Sequence, residues 1–177
     1  MGIPSDRGLL QALAQGKEWA FAALYDQLGP ALFRVAVGLL GRRADAEDAV
    51  QEVFVGLLRS RQSLPRVEDL RAYVFAALRS AAWRIAAARR KGRADSPDLD
   101  DVPAPQERGL DAEQDATLER ALRSLPFEQR ELIALKIDGG LTFAEIAACL
   151  GISPNTAASR YRYALEKLRA AFEEPRP

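Results

Sequence analysis

A short stretch near the C-terminal end, Leu141-Thr-Phe-Ala-Glu-Ile-Ala-Ala-Cys-Leu-Gly-Ile-Ser-Pro-Asn-Thr156, leaves the backbone few choices. Thr142 can cap a helix, and Glu145 three residues later can complete a capping box. Phe143, Ile146, Ala147 and Leu150 then share one apolar face. Gly151 stands where a left-handed residue stops a helix at little cost, and Ile152 plugs the turn. Ser153 is a second cap, with Pro154 at the first helical position, where a missing N–H is no loss. The helix that follows buries Ala157, Tyr161, Ala164, Leu165, Leu168 and Phe172 at helical spacing and turns Asn155, Thr156, Ser159, Arg160, Arg162, Tyr163 and Lys167 outward. Two capped helices, a tight turn and a polar, basic second helix make a helix-turn-helix, whose second helix presents its first turns to the DNA major groove. Asn and Arg side chains there can read adenine and guanine edges, and the other Arg and Lys side chains can hold phosphates.

Net charge speaks against nucleic acid at first sight, since the 177 residues carry 25 basic and 25 acidic side chains. The charges are segregated, however. From Arg79 to Arg93 there are six basic residues (Arg79, Arg84, Arg89, Arg90, Lys91 and Arg93) and no acid, and from Ala94 to Ala116 there are eight acids against the single base Arg108. Such blocks form separate local fields that the total conceals. There is no histidine, and the single cysteine, Cys149, falls on the apolar side of a helix. This excludes an internal disulfide, His-containing zinc sites and His-based catalysis, and makes Cys149 a buried, inert thiol. Neither a glycine-rich phosphate loop nor a placed nucleophile–base pair is present, so no catalytic residue, metal or cofactor is expected. Without a signal peptide or an apolar run long enough to span a bilayer, the chain reads as cytoplasmic, with no membrane insertion.

Nearly all of the sequence reads as helix, and strand-like alternation is absent. Ser5 to Gln15 is a short first helix, and Lys17 to Leu28 carries Trp19, Ala20, Leu24 and Leu28 at helical spacing. Pro30 follows, then Ala31 to Leu40 is intensely apolar until Gly41 breaks it. Asp45 can cap the next helix, which buries Ala49, Val50, Val53, Phe54, Leu57 and Leu58 and exposes Glu47, Asp48, Gln51 and Glu52. Ser60 to Arg66 is a loop, and Val67 to about Arg90 is a long helix with Leu70, Val74, Ala77, Leu78, Ala81 and Ile85 inward. Residues 92–112 hold Pro97, Pro103 and Pro105 among many aspartates and form an extended linker that cannot bury a core. Asp115 to Leu125 and Phe127 to Ile137 are helices leading to Asp138-Gly139-Gly140. The fold class is therefore all-α, with two small helical domains, residues 1–91 and 113–177, joined by an acidic linker.

With these motifs in this order, the chain resembles bacterial RNA polymerase sigma factors of the extracytoplasmic-function group. Asp45-Ala-Glu-Asp-Ala-Val-Gln-Glu-Val-Phe54 resembles their core-polymerase-binding helix, and Leu70-Arg-Ala-Tyr-Val-Phe75 with the basic run resembles their promoter-melting helix. Leu125-Pro-Phe-Glu-Gln-Arg-Glu131 and Leu141 to Arg169 resemble their C-terminal, −35-reading domain. The resemblance implies an alternative sigma factor, which is not an enzyme. Its partners would be core RNA polymerase and promoter DNA, with an anti-sigma factor left open. Asp48, Gln51 and Glu52 would contact polymerase. Asn155, Thr156, Ser159, Arg160, Arg162 and Lys167 would read the −35 duplex. The loop Gln62 to Glu68 and the helix after it would meet the −10 element, melting it and holding one strand with Arg71, Tyr73, Arg79, Ser80, Trp83, Arg84, Arg89 and Arg90. A cationic surface interleaved with aromatic platforms suits single-stranded DNA.

The sequence departs from the family where an Asn and, four residues on, an Asp are usual, since Ser80 and Arg84 stand there. Ala157 and Ala158 occupy positions where a branched apolar and a polar or basic residue are common. Two other readings of the residues stay open. One is a free-standing helix-turn-helix regulator that dimerises on a palindrome. The other is a polymerase-binding adaptor with degenerate DNA contacts.

Overall fold

The computed structural model describes residues 6–92, 118, 120–122 and 124–173, without the side chains of residues 6, 90–92 and 171–173. The acidic linker and the Arg90 and Phe172 side chains lie outside the described residues. Among the described residues every regular element is helical. Four α-helices build the N-terminal bundle: α1 (Asp6–Ala14), α2 (Glu18–Leu40), α3 (Arg43–Arg59) and α4 (Leu70–Gly92). A 3-10 helix, Arg61–Arg66, links the last two where a loop was expected, and it buries Leu64 completely. Three more follow in the C-terminal half: α5 (Phe127–Ile133), α6 (Phe143–Leu150) and α7 (Pro154–Glu173).

Local chemistry explains where the helices depart from the sequence pattern. Pro30 lies inside one continuous α2 rather than between two helices. A proline is hard to accommodate mid-helix because it clashes with the turn before it, and its Cδ also clashes with the Cβ of the preceding residue. Here the preceding residue is Gly29, which has no Cβ to clash. Helix α3 starts at Arg43, so Asp45 sits inside the first turn instead of capping it. Its carboxylate accepts from Arg89 Nη1 at 2.9 Å. Helix α4 starts later than the pattern suggests because Asp69 Oδ1 accepts from the Ala72 N–H at 2.8 Å and caps it. Leu58, expected to be buried, is 48 % exposed, and Trp19, which shares helical spacing with the buried Ala20 and Leu24, is 51 % exposed. Ala46, a small residue, takes the buried first-turn position on α3.

The core is continuous between the two halves of the chain. Leu13, Leu24, Leu32, Leu57, Phe75 and Leu78 of the N-terminal bundle join Leu132, Ala134, Leu135, Leu141 and Ile146 in one buried cluster. Each fully buried large side chain contributes about 1.5–3 kcal/mol of hydrophobic stabilisation. A second, smaller cluster of Leu125, Ile133 and Ala164 holds α5 against α7. Two glycines let the halves approach. A Cβ on Gly38 of α2 would meet the Ala134 Cβ at 3.4 Å. A Cβ on Gly139 would lie 2.7 Å from the Leu135 carbonyl oxygen and 3.2 Å from Phe75 Cε1, so only glycine fits beneath α4. Between them, Ala134–Asp138 forms a single π-helical turn that extends α5.

Burial predicts a sharp contrast between two aromatic residues. Phe75→Ala should destabilise the chain by about 3–5 kcal/mol in denaturant unfolding, and Trp19→Ala should stay within about 0.5 kcal/mol of the parent.

Candidate nucleic-acid interface

The helix-turn-helix is built by hydrogen bonds between near neighbours. The Glu145 N–H donates to Thr142 Oγ1 at 3.2 Å while the Thr142 N–H donates to Glu145 Oε2, completing the capping box. Gly151 closes α6 in the left-handed region at φ 66°. The Thr156 N–H donates to Ser153 Oγ at 3.1 Å, which starts α7 with Pro154 as its first residue. Ala157 and Ala164 are fully buried, and a Phe143–Tyr161 edge-to-face contact with centroids 5.7 Å apart clamps the two helices. The outer face then carries Asn155, Ser159, Arg160, Arg162 and Lys167 in solvent, with Thr156 half-buried. Lys167 Nζ lies 5.1 Å from the centre of the exposed Tyr163 ring.

Helix α4 divides its expected DNA residues between two faces. Arg71, Phe75, Arg79 and Trp83 recur every four residues and form one stripe. The C-terminal half packs along that stripe, with Trp83 still 38 % exposed. Arg79 Nε donates to Glu131 Oε1 at 2.7 Å. Arg71 Nη2 donates to the Gly139 carbonyl at 2.6 Å, and its Nη1 lies 3.6 Å from Glu145 Oε1. Trp83 stacks edge-on against Phe127 with centroids 4.9 Å apart. Phe75 is wholly core and is no platform for a base. On the neighbouring face, Tyr73, Ser80 and Arg84 line an open cleft of about 210 Å³ against Glu52, Gly56 and Ser60 of the α3 side. Ser80 Oγ donates to the Ala76 carbonyl at 3.0 Å, and Arg84 Nη2 donates to Glu52 Oε2 at 2.9 Å. Arg89 is held at the far end by Asp45 and the Leu40 carbonyl.

The third expected surface is α3. Asp48, Gln51 and Glu52 are all exposed, with Glu52 tied to Arg84. The sequence reading missed two residues there. Val55 and Leu58 are exposed on the same stripe, which therefore mixes acids with apolar side chains. The signal lay in the spacing of residues 48, 51, 55 and 58, which fall on one helical face.

Burial tunes three titratable groups. Desolvation raises Glu131 above its ordinary 4.5 in spite of Arg79 beside it. Desolvation also pushes the Cys149 thiol up to about 12, with Glu131 adding to the effect, which fits an inert core thiol. Glu145 moves the other way. Its partial burial is outweighed by the Thr142 hydrogen bonds and by the Arg71 and Lys136 charges, so its carboxyl lies below 4.5. No group of residues suited to holding a metal ion occurs among the described residues. No helix among them is long and apolar enough to cross a membrane.

These features define a two-part helical protein with a helix-turn-helix at one end and a basic, aromatic helix under it. Residues 24–94 match the family model Sigma-70 region 2, and residues 115–168 match Sigma-70, region 4. The chain is 32 % identical over 183 residues to the ECF RNA polymerase sigma factor ShbA of Streptomyces griseus subsp. griseus, covering 94 % of each chain. It is 35 % identical over 166 residues to the ECF RNA polymerase sigma factor SigL of Mycobacterium tuberculosis, covering 86 % of this chain and 88 % of the relative. Two solved structures share the fold. CnrH in complex with the cytosolic domain of CnrY matches with a TM-score of 0.70 at 26 % identity, over 95 % of this chain and 97 % of that one. The sigma factor RpoE in complex with the anti-sigma factor NepR from Bartonella quintana matches with a TM-score of 0.69 at 25 % identity, over 88 % and 98 %. The chain belongs to the extracytoplasmic-function family of RNA polymerase sigma factors. It is an alternative sigma factor, working with core RNA polymerase and promoter DNA to direct transcription initiation. The free-standing regulator and the adaptor are not favoured.

The capping box carries a pH signature. A carboxyl with a lowered folded pKa contributes stability that is present above its unfolded value and lost as the pH falls through the folded one. The stability lost in Glu145→Gln should therefore be full above pH 4.5 and shrink below it, which unfolding titrations at several pH values would check. Thr142→Ala, which removes the cap itself, should cost about 0.5–2 kcal/mol.

Proposed function

We propose that three separate faces of this chain divide the work of promoter recognition, and that it is a specificity subunit with no chemistry of its own. Residues 113–177 read the −35 duplex, with Asn155, Thr156, Ser159, Arg160 and Arg162 at base edges or phosphates and Lys167 at the backbone. The observation that carries this reading is the exposure of the first two turns of α7, whose opposite face is locked by Ala157 and Ala164. Residues 1–91 hold polymerase and the −10 element. On α3, Asp48, Gln51 and Glu52, with Val55 and Leu58, form the polymerase stripe, where apolar area supplies affinity and acids supply orientation. On α4, Tyr73, Ser80 and Arg84 at the cleft hold the separated −10 strand, joined by Arg71, Arg79 and Trp83 on the adjacent stripe and by Arg89 and Arg90 further along. Residues 92–112 are the acidic tether. Because the RpoE neighbour was solved with an anti-sigma factor, a protein of that kind is the natural restraint to look for here.

In vitro transcription with purified core polymerase and a promoter library tests the reading. Starts that depend on the protein and share a two-block motif support it. Core binding without initiation would favour the adaptor, and DNA binding without core the free-standing regulator. Arg160→Ala should weaken use of promoters with the matching −35 base by about 1–3 kcal/mol. An equal loss on every promoter would make Arg160 a phosphate contact.

A further inference from the structure

One ion pair joins two faces that the proposed function gives to different partners. Arg84 Nη2 on α4 donates to Glu52 Oε2 on α3 at 2.9 Å, across the mouth of the cleft. The guanidinium holds a single carboxylate oxygen there, because its Nε turns back to the Ser80 carbonyl at a long 3.4 Å. Both side chains stay in solvent, Arg84 at 70 % and Glu52 at 45 % exposure. An exposed pair of this kind contributes little to stability and exchanges readily. The cleft below it stays open, since a Cβ added to Gly56 on its α3 wall would meet nothing within 4 Å. The pair also depends on a residue in which this chain departs from its family. An aspartate at position 84 would repel Glu52, whereas the arginine found here binds it.

We propose that Glu52 is a gate on Arg84. In the free chain it holds the arginine across the cleft. When polymerase takes Glu52, the guanidinium passes to a phosphate of the −10 strand. The proposal rests on the reading of Glu52 as a polymerase contact and of Arg84 as a strand contact. Two competitions drive the exchange. A carboxylate on a protein interface is met by a cation of the partner, which displaces Arg84 from Glu52. A phosphate then offers the freed guanidinium two oxygens in place of the single one it held. The consequence is an order of events at one residue. Arg84 adds its charge to strand binding after polymerase is bound, and the free chain forgoes that contact on any DNA it meets alone.

The test is a double-mutant cycle read by fluorescence anisotropy over a range of salt. The probe is a labelled single-stranded oligonucleotide carrying the −10 block that the promoter library defines. On the full-length free chain, Glu52→Gln should tighten binding about two- to fivefold. It should also steepen the dependence of log K on log salt by about 0.7, the value of one single-strand phosphate contact. In an Arg84→Ala background the same Glu52→Gln change should give neither gain. Arg84→Ala alone should change binding by the free chain little. With core polymerase present it should flatten the salt dependence by about 0.7. The gate is overturned if Glu52→Gln brings an equal gain without Arg84, or no gain with it. It is also overturned if Arg84→Ala weakens the free chain as much as the complex with core. Each of these results leaves Arg84 standing as a strand contact. If Arg84→Ala changes neither state, the −10 reading of Arg84 falls, and the gate falls with it.

Discussion

A carboxylate that is 2 % exposed must have a cation, and the placement of Glu131 therefore organises much of this molecule. Its cation is Arg79, which comes from the other half of the chain. Once that pair forms, helical spacing brings Arg71, Phe75 and Trp83 to the same interface, and the chain after α5 must pass directly beneath Phe75. Only a glycine can do so there, and Gly139 does. The π-helical turn then sends its last carbonyls toward Arg34 and Arg71. A buried ion pair is a weak source of net stability, because desolvation offsets most of the attraction. Its larger effect is to select one register of docking, and apolar contacts around Leu132, Leu135 and Leu141 supply the stabilisation.

What could be read from the sequence was local. Thr142 with Glu145, Gly151, and Ser153 with Pro154 are fixed by partners three or four residues away, and the structure realises each of them. The apolar periodicities of α3, α4 and α7 were legible for the same reason, because a helix face is a short-range property. Pro30 reads as a break because a mid-helix proline usually ends a helix, yet α2 continues through it, and Gly29 before it has no Cβ to clash with the proline ring. Spacing marks Leu58 as apolar and inward, but spacing does not say which side of a helix is covered, and Leu58 is 48 % exposed. The joint between the halves could not be seen at all. Its pairs lie 52 and 68 residues apart in sequence, and no local pattern announces that Arg79 belongs to Glu131 or Arg71 to Gly139.

The candidate site was legible as a list of residues more than as a geometry. The outer face of α7 matches its expected membership, with Thr156 drawn partly inward by Ser153. On α4 the basic and aromatic residues look like a single surface in sequence, yet about 100° of rotation around the helix separates the cleft-lining Ser80 and Arg84 from their neighbours Arg79 and Trp83, which face the C-terminal half. The departures from the family at Ser80 and Arg84 also gain a physical setting. Arg84 bridges to Glu52 across the cleft, which couples the α4 residues to the acidic stripe of α3. A ligand engaging Glu52 would therefore change the charge presented at the cleft mouth, because an exposed pair of this kind is easily exchanged.

That the buried Glu131–Arg79 pair selects one register between the two halves is a claim about distance. Spin labels at cysteines replacing Glu47 on α3 and Glu166 on α7, both exposed, would report it by pulsed electron resonance. One narrow distance is expected in the parent chain, and a broadened or shifted distribution once Arg79→Met leaves Glu131 without its cation. An equally narrow, unshifted distance in the Arg79→Met chain would contradict it.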